Sequence, residues 1–544
     1  MRRIQKITIL TLFILPMFAS CDTLVTSHQD TTSESHENTT SINDDQSSLT
    51  SEITTSDATS EVSTSDDSDD YPDQFAIYSI NDTHGAIEED TSSYSYVPGM
   101  ANLDYCIKND ADYDKNYSVL LSAGDMSQGT GISNISKGQC MMECMNAMGI
   151  DAMTIGNHEF DWGVDTIQAM EETANFPFLG INIVNKDDGK IISEAQPSAI
   201  INKGNLKIGV VGSIYRYITN SISASMIADI KFVDDEPLVS AEVNRLKEEE
   251  KCDVVVVLTH QGEDASAVTS YMNNKDISGI FGGHDHRYCC DPSYDGHSYF
   301  LEAGSSSKAY SKLVLQKNQD GTYSVKMGST LQIDQWDCQN ASSPEIDSIV
   351  ERYRALCQDV LDEVIGQRDG PLDRSRLGTL VTEAMMYYAE DVCQKDDIAV
   401  AVHNRGGIRS TLEGGETNDN GLYDITYDNI YQVMPFDNEV QYVELSGEKL
   451  IEACTSSYDY HSRDFSQDGS NYYLNGTEVD INKTYKVLAI DYIITRDDNP
   501  CYQGGEPGTA IDGEIVYTRD LIKDYIKHLG VVNVSDFPSL VEGY

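Results

Sequence analysis

Positive charge is scarce in this chain of 544 residues. Lysine and arginine together number 37 against 90 aspartate and glutamate residues, which leaves a formal net charge of −53. So acidic a protein would repel a phosphate backbone, and the composition therefore argues against a general nucleic-acid binder. Any site that handles phosphate in this chain needs local positive charge, which metal ions can supply.

The start of the chain lacks an apolar segment long enough to be a lasting transmembrane helix. Three basic residues precede a short apolar stretch at residues 7–18, and this pattern predicts an export signal over residues 1–21. The segment ends in Phe18-Ala19-Ser20-Cys21, which resembles a bacterial lipobox. That resemblance implies cleavage before Cys21 and a lipid anchor on its thiol. An ordinary export signal is the alternative.

Lysine and arginine are absent from residues 22–70. This stretch holds 23 serine or threonine residues and 13 aspartate or glutamate residues. Such a composition cannot bury enough apolar surface to offset the entropy of ordering. We therefore predict that residues 22–73 form a disordered tether between a membrane anchor and a folded body.

A dense cysteine framework is also absent. Of the 12 cysteines, 11 are left once Cys21 is set aside, and their spacing matches neither a disulfide-stapled domain nor a zinc ribbon. We expect most of them to be small buried apolar residues. The sequence leaves the roles of Cys289, Cys290 and Cys501 open.

The length of the chain exceeds what one hydrophobic core usually supports, so at least two domains are expected. Strand and helix patterns alternate over residues 74–338, as in a layered α/β domain. Apolar residues at helical spacing predict a helix from Pro344 to about Val364, so residues 339–362 are interpreted as a bridge to a second domain at 363–544. Further helices are predicted at Gly138–Met148, Val164–Ala174 and Pro237–Glu250.

Five short apolar runs end in residue types that bind metals. The runs are Phe75–Ile80, Val119–Ser122, Ala152–Ile155, Val254–Leu258 and Ile280–Phe281. Short apolar runs bounded by glycine, asparagine and aspartate predict buried strands of an α/β sheet. Ligands bind at the carboxyl ends of such strands, and five of the 11 histidines lie there. The pattern predicts a metal centre built from strand-end loops.

Seven residues in these loops are candidate ligands: Asp82, His84, Asp125, Asn157, His260, His284 and His286. Asp82 and His84 are two residues apart, so on an extended segment both can face one crevice. Mixed nitrogen and oxygen ligands suit Zn²⁺, Mn²⁺ or Fe²⁺ better than Ca²⁺. Seven ligands exceed the needs of one tetrahedral ion and fit two divalent ions, with Asp125 as the bridging carboxylate.

The order of these motifs resembles that of the calcineurin-like metallophosphatases. Asn81-Asp82-Thr83-His84-Gly85 and Gly156-Asn157-His158-Glu159-Phe160-Asp161 are similar to the 5′-nucleotidase branch of that superfamily. The resemblance covers residues 74 to about 520. It implies a four-layered α/β/β/α domain that holds two metal ions, a bridging helix, and a second α/β (α+β) domain that binds substrate. It also implies one site with Asp82, His84 and His286, a second with Asn157, His260 and His284, and Asp125 shared.

His158 and Asp161 are the candidate catalytic residues. His158 directly follows the ligand Asn157, so we expect it to reach the phosphate without binding metal and to stabilise charge on the transferring phosphoryl group or the leaving oxygen. Asp161 lies three residues on and, by the family pattern, orients His158 as a His–Asp dyad. The alternative for Asp161 is a helix N-cap, because an apolar helical pattern follows.

The strongest motif of the second domain is Val402-His403-Asn404-Arg405-Gly406-Gly407-Ile408-Arg409. Paired glycines let the backbone approach a ligand closely, and an arginine fork suits phosphate or carboxylate. The segment resembles a loop of 5′-nucleotidase C-terminal domains, which implies that Asn404 and Arg409 contact substrate. Arg374 or Arg376 lies near the place of another family arginine, although the spacing departs, and Arg374 is our candidate.

Phe436 and Tyr492 match the two sides of the family's aromatic clamp, which stacks on the nucleobase. The family follows the second aromatic with a Gly-Gly-Asp turn, whereas this chain has Thr495-Arg496-Asp497-Asp498-Asn499-Pro500. Asp498 keeps the aspartate position, but the glycines are replaced. The sequence therefore leaves the preferred base and phosphoester open.

The resemblance to the 5′-nucleotidases implies an enzyme that releases phosphate from nucleoside monophosphates by a metal-bridged water. Together with the lipobox resemblance it implies that this enzyme is extracytoplasmic and lipid-anchored to the bacterial cell membrane. A 2′,3′-cyclic-nucleotide phosphodiesterase/3′-nucleotidase and a UDP-sugar pyrophosphatase share this metal centre and are alternatives, as is a thiosulfate-oxidising hydrolase. A surface binding module on a phosphatase fold is the non-enzymatic alternative, but all seven ligand positions are filled. The expected partners are a small nucleotide substrate and the membrane, with no nucleic-acid polymer and no obligate protein partner.

Overall fold

The computed structural model describes residues 71–91, 96–335, 341–496, 502, 508–511, 513 and 515–539, and these belong to one compact unit. The predicted export signal, Cys21, residues 22–70 of the predicted tether, Asp498 and Cys501 lie outside the described residues. Within the described part of the chain, no helix combines the length and the apolar character needed to cross a membrane.

Two six-stranded mixed sheets form the first half of the described unit. Their strands, with a separate β5–β8 pair, are β1 (Gln74–Ile80), β2 (Val119–Ser122), β3 (Ala152–Thr154), β4 (Phe178–Leu179), β5 (Ile183–Asn185), β6 (Ser198–Lys203), β7 (Leu206–Ile214), β8 (Ile230–Phe232), β9 (Val254–His260), β10 (Gly279–Phe281), β11 (Tyr288–Pro292), β12 (Tyr299–Ala303), β13 (Ala309–Lys317) and β14 (Tyr323–Gln332). The strand order is β14-β13-β1-β2-β3-β4 in one sheet and β11-β12-β10-β9-β7-β6 in the other. Strands β1 to β4 are parallel to one another, as are β7, β9, β10 and β12.

The alternation of side chains along β1 explains why the two sheets are layered. Phe75 and Ile77 belong to the core between the sheets, whereas Ala76 and Tyr78 belong to the core on the opposite face, as a period of two requires. Helices cover both outer faces and bury the second side of each sheet. On the first sheet these are α1 (Gly99–Lys108), α2 (Gly131–Ile135), α3 (Gln139–Met148) and α4 (Val164–Thr173), and on the second α5 (Asp235–Glu248) and α6 (Ser266–Asn273). The predicted four-layered α/β/β/α arrangement is confirmed.

A long helix, α7 (Pro344–Leu361), follows the second sheet. Pro344 suits the first turn because the backbone N–H that it lacks has no partner inside a helix there. The helix ends at Leu361, earlier than the sequence predicts, because Val364 begins a strand paired with Thr426. The other three predicted helices are present, and their bounds differ from the prediction by one or two residues.

The second half of the described unit is built on a five-stranded sheet with the order β19-β16-β23-β18-β24. Two three-stranded sheets accompany it, with the orders β17-β15-β25 and β20-β21-β22. The strands are β15 (Val364–Arg368), β16 (Ile398–Asn404), β17 (Tyr423–Thr426), β18 (Val440–Ser446), β19 (Asp459–His461), β20 (Phe465–Asp468), β21 (Asn471–Leu474), β22 (Thr477–Glu478), β23 (Thr484–Ile490), β24 (Thr509–Ala510) and β25 (Val531–Val532). The helices are α8 (Arg374–Tyr387), α9 (Tyr427–Val433), α10 (Gly447–Cys454), α11 (Asp491–Ile494) and α12 (Thr518–Leu529).

The register of the five-stranded sheet gathers the predicted substrate residues at one edge. In the parallel pair, Ala401 of β16 is opposite Leu488 of β23, so both strands end at the same edge. β16 ends at Asn404, and β23 ends two residues before Tyr492. Val440, the first residue of β18, is antiparallel to Ile490. The loop that contains Phe436 therefore enters the sheet at that same edge.

The described cysteines fit the expectation of buried apolar residues in most cases. Cys140, Cys144, Cys252 and Cys357 are buried within the hydrophobic cores. Cys106 is disulfide-bonded, which the spacing of the cysteines did not predict. Disulfide formation is typical of exported proteins.

Candidate active site

The first group of predicted ligands lies where β1 and β10 end. His84 Nε2 is 2.9 Å from His286 Nε2, and His286 Nε2 is 3.5 Å from Asp82 Oδ1. These three side chains form one cluster that could hold a metal ion. Asp82 is fully buried, whereas the side chain of His286 is 36% exposed, so the cluster opens to solvent on the side of His286.

The second group lies at the ends of β2, β3, β9 and β10. His260 Nε2 is 3.1 Å from both Asp125 Oδ2 and Asn157 Oδ1, and His284 Nδ1 is 3.0 Å from Asn157 Oδ1. Asp125 also belongs to a cluster with His84. Its carboxylate therefore stands between the two groups, where a bridging ligand would stand.

The donor atoms of both groups fit divalent ions. An ion held at about 2.0–2.2 Å by each ligand requires neighbouring donor atoms to be about 3 Å apart, which matches the separations above. Burial lowers the pKa of His84 to about 3 and that of His284 to about 4. Both rings are therefore neutral at pH 7 and present free nitrogen lone pairs, as metal binding requires. Burial also lowers the pKa of His260, but the charge of Asp125 outweighs it and raises the pKa to about 10, so that ring must release a proton when a metal ion binds.

The backbone of the strand-end loops is held in a conformation that side chains rarely adopt. Five of the predicted ligands have a positive φ: Asp82 (48°), His84 (52°), Asp125 (56°), His284 (82°) and His286 (57°). Each such residue costs of order 1–3 kcal/mol, and such strain persists at functional sites where the surrounding structure imposes it. No residue other than glycine fits at position 124 (φ 88°), because a Cβ there would lie 2.7 Å from the nitrogen of Gly156.

Hydrogen bonds to the far side of the ligands fix which atom faces the centre. His260 Nδ1 is 2.8 Å from the carbonyl oxygen of Ala123, and His84 Nδ1 is 3.2 Å from that of Gln128. Both rings therefore present Nε2 to the cluster, a common arrangement around metal sites. Asn81 Nδ2 donates to Asp82 Oδ2 at 2.7 Å. The sequence motif contained Asn81, but the pattern assigned it no role.

Glu159 is a second residue of a recognised motif whose role only the structure reveals. Its buried carboxylate accepts hydrogen bonds from three backbone nitrogens, those of Asp125 (2.9 Å), Met126 (2.9 Å) and Gly156 (2.8 Å). These bonds join the loop after β2 to the loop after β3. They also hold Asp125 in its left-handed conformation, which orients its carboxylate towards His260.

We expect a Glu159→Gln variant to lose stability and metal affinity together. The amide would place a donor against backbone donors, which costs about 2 kcal/mol, and misplacing Asp125 should weaken metal binding by about 10- to 100-fold. Chemical unfolding and metal titration measure the two effects. The exposed Glu172→Gln change is the control, and unaltered metal affinity in Glu159→Gln would contradict the assigned role.

His158 and Asp161 lie beside the metal-ligand groups. His158 Nδ1 is 2.8 Å from Asp161 Oδ2, and its other ring nitrogen is 4.0 Å from Asp125 Oδ2. Helix α4 begins after Gly163, so Asp161 is not its N-cap. Burial lowers the pKa of His158, but the charges of Asp161 and Asp125 outweigh it and raise the pKa to about 9. In the metal-free protein at pH 7 the ring is therefore protonated on both nitrogens and positively charged.

Side chains of the second domain contact or lie close to His158. The ring of Phe436 stacks on His158, with centroids 5.5 Å apart and planes inclined by 23°, and the guanidinium carbon of Arg409 is 5.0 Å from the Phe436 ring centre. Arg374 donates to the carbonyl oxygen of Arg409 at 2.6 Å. Arg376 instead donates to the carbonyl oxygens of Val534 and Phe537, so Arg374 is the one of the two that contacts Arg409.

Tyr492 and Asn404 complete the described part of the predicted substrate site. The hydroxyl of Tyr492 donates to the carbonyl oxygen of Asn220 in the first domain at 3.0 Å and accepts from Arg496 at 3.2 Å. Arg496 belongs to the altered turn that replaces the family's glycines. Among the described residues, Asn404 Oδ1 is buried and has no hydrogen-bond partner. Such an atom is costly to bury unless a ligand satisfies it.

Comparisons with known proteins agree with this two-domain site. The family profile of the calcineurin-like phosphoesterases matches residues 75–288, and that of the 5′-nucleotidase C-terminal domain matches residues 359–472. A 5′-nucleotidase of Vibrio parahaemolyticus is 23% identical over 85% of this chain and 91% of its own length. The cell wall protein Lmo0130 of Listeria monocytogenes is 24% identical over 78% of this chain and 61% of its own length.

The fold has close counterparts among solved structures. The crystal structure of a 5′-nucleotidase precursor from Thermus thermophilus superposes with a TM-score of 0.68 and 20% identity, and covers 84% of this chain and 97% of that chain. The order of the two matched domains, the metal-ligand clusters and these likenesses lead to one assignment. The chain belongs to the 5′-nucleotidase family, in which a calcineurin-like phosphoesterase domain precedes a 5′-nucleotidase C-terminal domain.

Proposed function

We propose that this protein is a metal-dependent 5′-nucleotidase that releases phosphate from nucleoside monophosphates. The observation that carries the proposal is the stacking of Phe436, from the second domain, on His158, from the first. It joins a flat apolar surface, which suits a nucleobase, to a cluster of metal-ligand residues, which suits a phosphate. Arg409 lies on the same aromatic ring and adds a positive charge to an otherwise acidic protein.

The roles proposed for the phosphatase domain follow from its contacts. Two divalent ions, when held by the seven ligand residues, supply positive charge to the phosphoryl group and lower the pKa of a water. His158 donates its Nε2 proton to the phosphoryl oxygens or to the leaving 5′-oxygen. Asp161 accepts the Nδ1–H bond, which keeps the proton-bearing Nε2 directed at the substrate. Asp125 stabilises the charged ring.

The roles proposed for the second domain concern recognition. Arg409 and Arg374 bind anionic oxygens of the nucleotide, because a guanidinium fork matches phosphate geometry. Asn404 Oδ1 accepts a hydrogen bond from the nucleoside, which would satisfy this buried atom. Phe436 and Tyr492 stack on the base. Asp498 is the proposed contact in the altered turn.

We further propose the predicted domain organisation and location for this chain. A signal at residues 1–21 directs export, Cys21 bears the lipid anchor, and residues 22–73 tether the enzyme outside the cell membrane. The phosphatase domain spans residues 74–338, the bridge 339–362 and the substrate-binding domain 363–544. The cell wall protein of Listeria among the relatives supports an extracytoplasmic location.

Phosphate release and chromatographic identification of the other products, both measured on the full-length chain purified in detergent, test the proposed reaction. The assay compares AMP, GMP, UMP, 2′,3′-cyclic AMP, UDP-glucose and an aryl phosphate with Mn²⁺ or Zn²⁺ added. We expect turnover of monophosphates that a chelator abolishes and added metal restores, because the phosphoryl group depends on the bound ions for charge stabilisation.

The substrate panel also separates the alternatives. Hydrolysis restricted to the cyclic nucleotide or to UDP-glucose would overturn the 5′-nucleotidase assignment and favour the corresponding phosphodiesterase or pyrophosphatase. A metal-replete protein that hydrolyses none of the six compounds would favour a surface binding module instead.

A further inference from the structure

A short segment, Met434–Asp437, places Phe436 on His158. It leaves the end of α9 and leads towards β18, and we call it the strap. Phe436 is the one strap residue that stacks on a proposed catalytic residue. Its neighbour Pro435 accepts a hydrogen bond from Asn134 of the first domain at 2.5 Å. The position of the aromatic ring therefore depends on how firmly four consecutive residues are held.

Arg519, near the start of α12, grips the strap from inside the second domain. Its Nη1 donates to three successive carbonyl oxygens, those of Met434 (3.2 Å), Pro435 (3.1 Å) and Phe436 (3.3 Å). Its Nη2 pairs with the carboxylate of Asp437. The guanidinium carbon also lies 4.0 Å from the centre of the Tyr431 ring. Arg519 is only 5% exposed, so it contacts the strap on the side that faces the interior of the second domain.

Asp437 joins this arrangement to the first domain. Lys137 Nζ lies 3.0 Å from one carboxylate oxygen of Asp437, and Arg519 occupies the other. Burial raises the pKa of Asp437, but the two cations outweigh it and hold the pKa below its usual value. The carboxylate therefore stays charged and pairs with a cation from each domain.

We propose that Arg519 is a positioning residue for nucleotide hydrolysis, which holds the strap so that Phe436 stays on His158 and presents its ring to the base. The inference rests on the proposed function, since it assigns Arg519 a role in that same substrate site. The single nitrogen of a lysine could bind either Asp437 or the carbonyl oxygens, whereas Nη1 and Nη2 of Arg519 bind the carbonyl oxygens and the carboxylate at the same time. The geometry thus requires arginine, although its side chain does not face the substrate.

Arg368 provides a matched control. It is 3% exposed, donates to the carbonyl oxygens of Gly370 (2.7 Å) and Gly414, and stacks on Tyr423 with the guanidinium carbon 4.2 Å from the ring centre. It therefore resembles Arg519 in burial, in its carbonyl partners and in its aromatic contact, but it binds a different part of the second domain. A general loss of stability should follow from replacing either arginine.

The experiment compares Arg519→Met, Arg519→Lys, Arg368→Met and Phe436→Ala in the full-length chain, together with the double variants that combine each Met change with Phe436→Ala. We expect Arg519→Met to lower kcat/KM for AMP relative to an aryl phosphate by about 5- to 100-fold, mostly through KM, because base stacking is lost. For Arg519→Lys, this ratio should lie between those of the wild type and Arg519→Met. The double variant Arg519→Met/Phe436→Ala should have nearly the same kcat/KM for AMP as Phe436→Ala alone, because the two changes remove the same stacking interaction with the base.

Two outcomes would overturn the inference. In the first, the ratio of kcat/KM for AMP to kcat/KM for the aryl phosphate changes equally in Arg519→Met and Arg368→Met. In the second, the effects of Arg519→Met and Phe436→Ala on this ratio are fully additive. Hydrogen exchange measured by mass spectrometry on peptides of the strap needs no substrate. Faster exchange of the strap in Arg519→Met than in Arg368→Met supports the inference even if the wild type hydrolyses no nucleotide, and equal exchange contradicts it. The experiments thus distinguish failure of the proposed 5′-nucleotidase function from failure of the positioning role of Arg519.

Discussion

A His158→Ala variant is expected to keep its metal ions and to lose most of its turnover, with kcat for a nucleoside monophosphate reduced by about 10²- to 10⁴-fold. The ring nitrogen that faces the centre is 4.0 Å from Asp125 Oδ2, so its N–H lies beside the proposed bridging ligand, next to which the phosphoryl group would bind. Its proton is maintained by the Asp161 carboxylate at 2.8 Å. Removing the ring therefore removes the proton donor and leaves the seven ligands in place.

Steady-state kinetics and elemental analysis of metal content measure the two parts of this result. His528→Ala is the matched control, because His528 is exposed on α12 and its ring contacts that of Tyr387, not the ligands. Full activity of His158→Ala would remove the residue from the mechanism. Loss of one equivalent of metal would instead make His158 a ligand, since its side chain also forms a potential metal-binding group with His84 and Asp125.

An Asp125→Asn variant is expected to lose both metal binding and activity. Asn has the same shape, so the fold should persist, but the negative charge between the two ligand groups disappears. Oδ1 of Asp125 accepts from the backbone nitrogen of His158 at 2.8 Å, and Oδ2 lies 3.1 Å from His260 Nε2. We expect kcat/KM to fall by about 10³-fold or more, because charge stabilisation by the ions contributes several kcal/mol.

Metal content after dialysis and the melting temperature with and without added Zn²⁺ check this second prediction. The wild type should gain thermal stability from the ion, and Asp125→Asn should gain much less. Asp104→Asn is the control, because Asp104 is a buried aspartate paired with Lys108 at 2.8 Å in α1 and lies outside the ligand groups. Two tightly bound ions in Asp125→Asn would exclude a bridging role for this carboxylate.

The layered fold was predictable because its strands are short, apolar and sharply bounded. The run Val254–Leu258 fits a buried strand, and its extension to His260 delivers a ligand to the sheet edge. The metal centre was predictable for the same reason, since parallel strands deliver their carboxyl ends to one edge. Helix ends were less predictable. α7 stops at Leu361 because β15 pairs with β17 over residues far apart in the chain, and no local pattern contains that pairing.

Residues that act through the backbone escaped the sequence pattern. Glu159 lies within a recognised motif, yet its three hydrogen bonds go to nitrogens of Asp125, Met126 and Gly156, and any residue type except proline can supply those nitrogens. Arg519 has no motif around it at all, because its partners include carbonyl oxygens 84 and 85 positions earlier in the chain. The choice between Arg374 and Arg376 likewise depended on which side of α8 faces Arg409.

The sequence by itself determined the layered α/β architecture and the seven metal-ligand candidates, because each follows from local periodicity or from residue type at a strand end. The pairing of His158 with Asp161 came from the resemblance to the family. Only the tertiary structure decided that Phe436 stacks on His158 and that Arg519 and Asp437 contact each other beside that ring. Those relations join segments of two domains. They arise from the packing of surfaces distant in the chain, and that packing leaves no periodic trace in the amino-acid order.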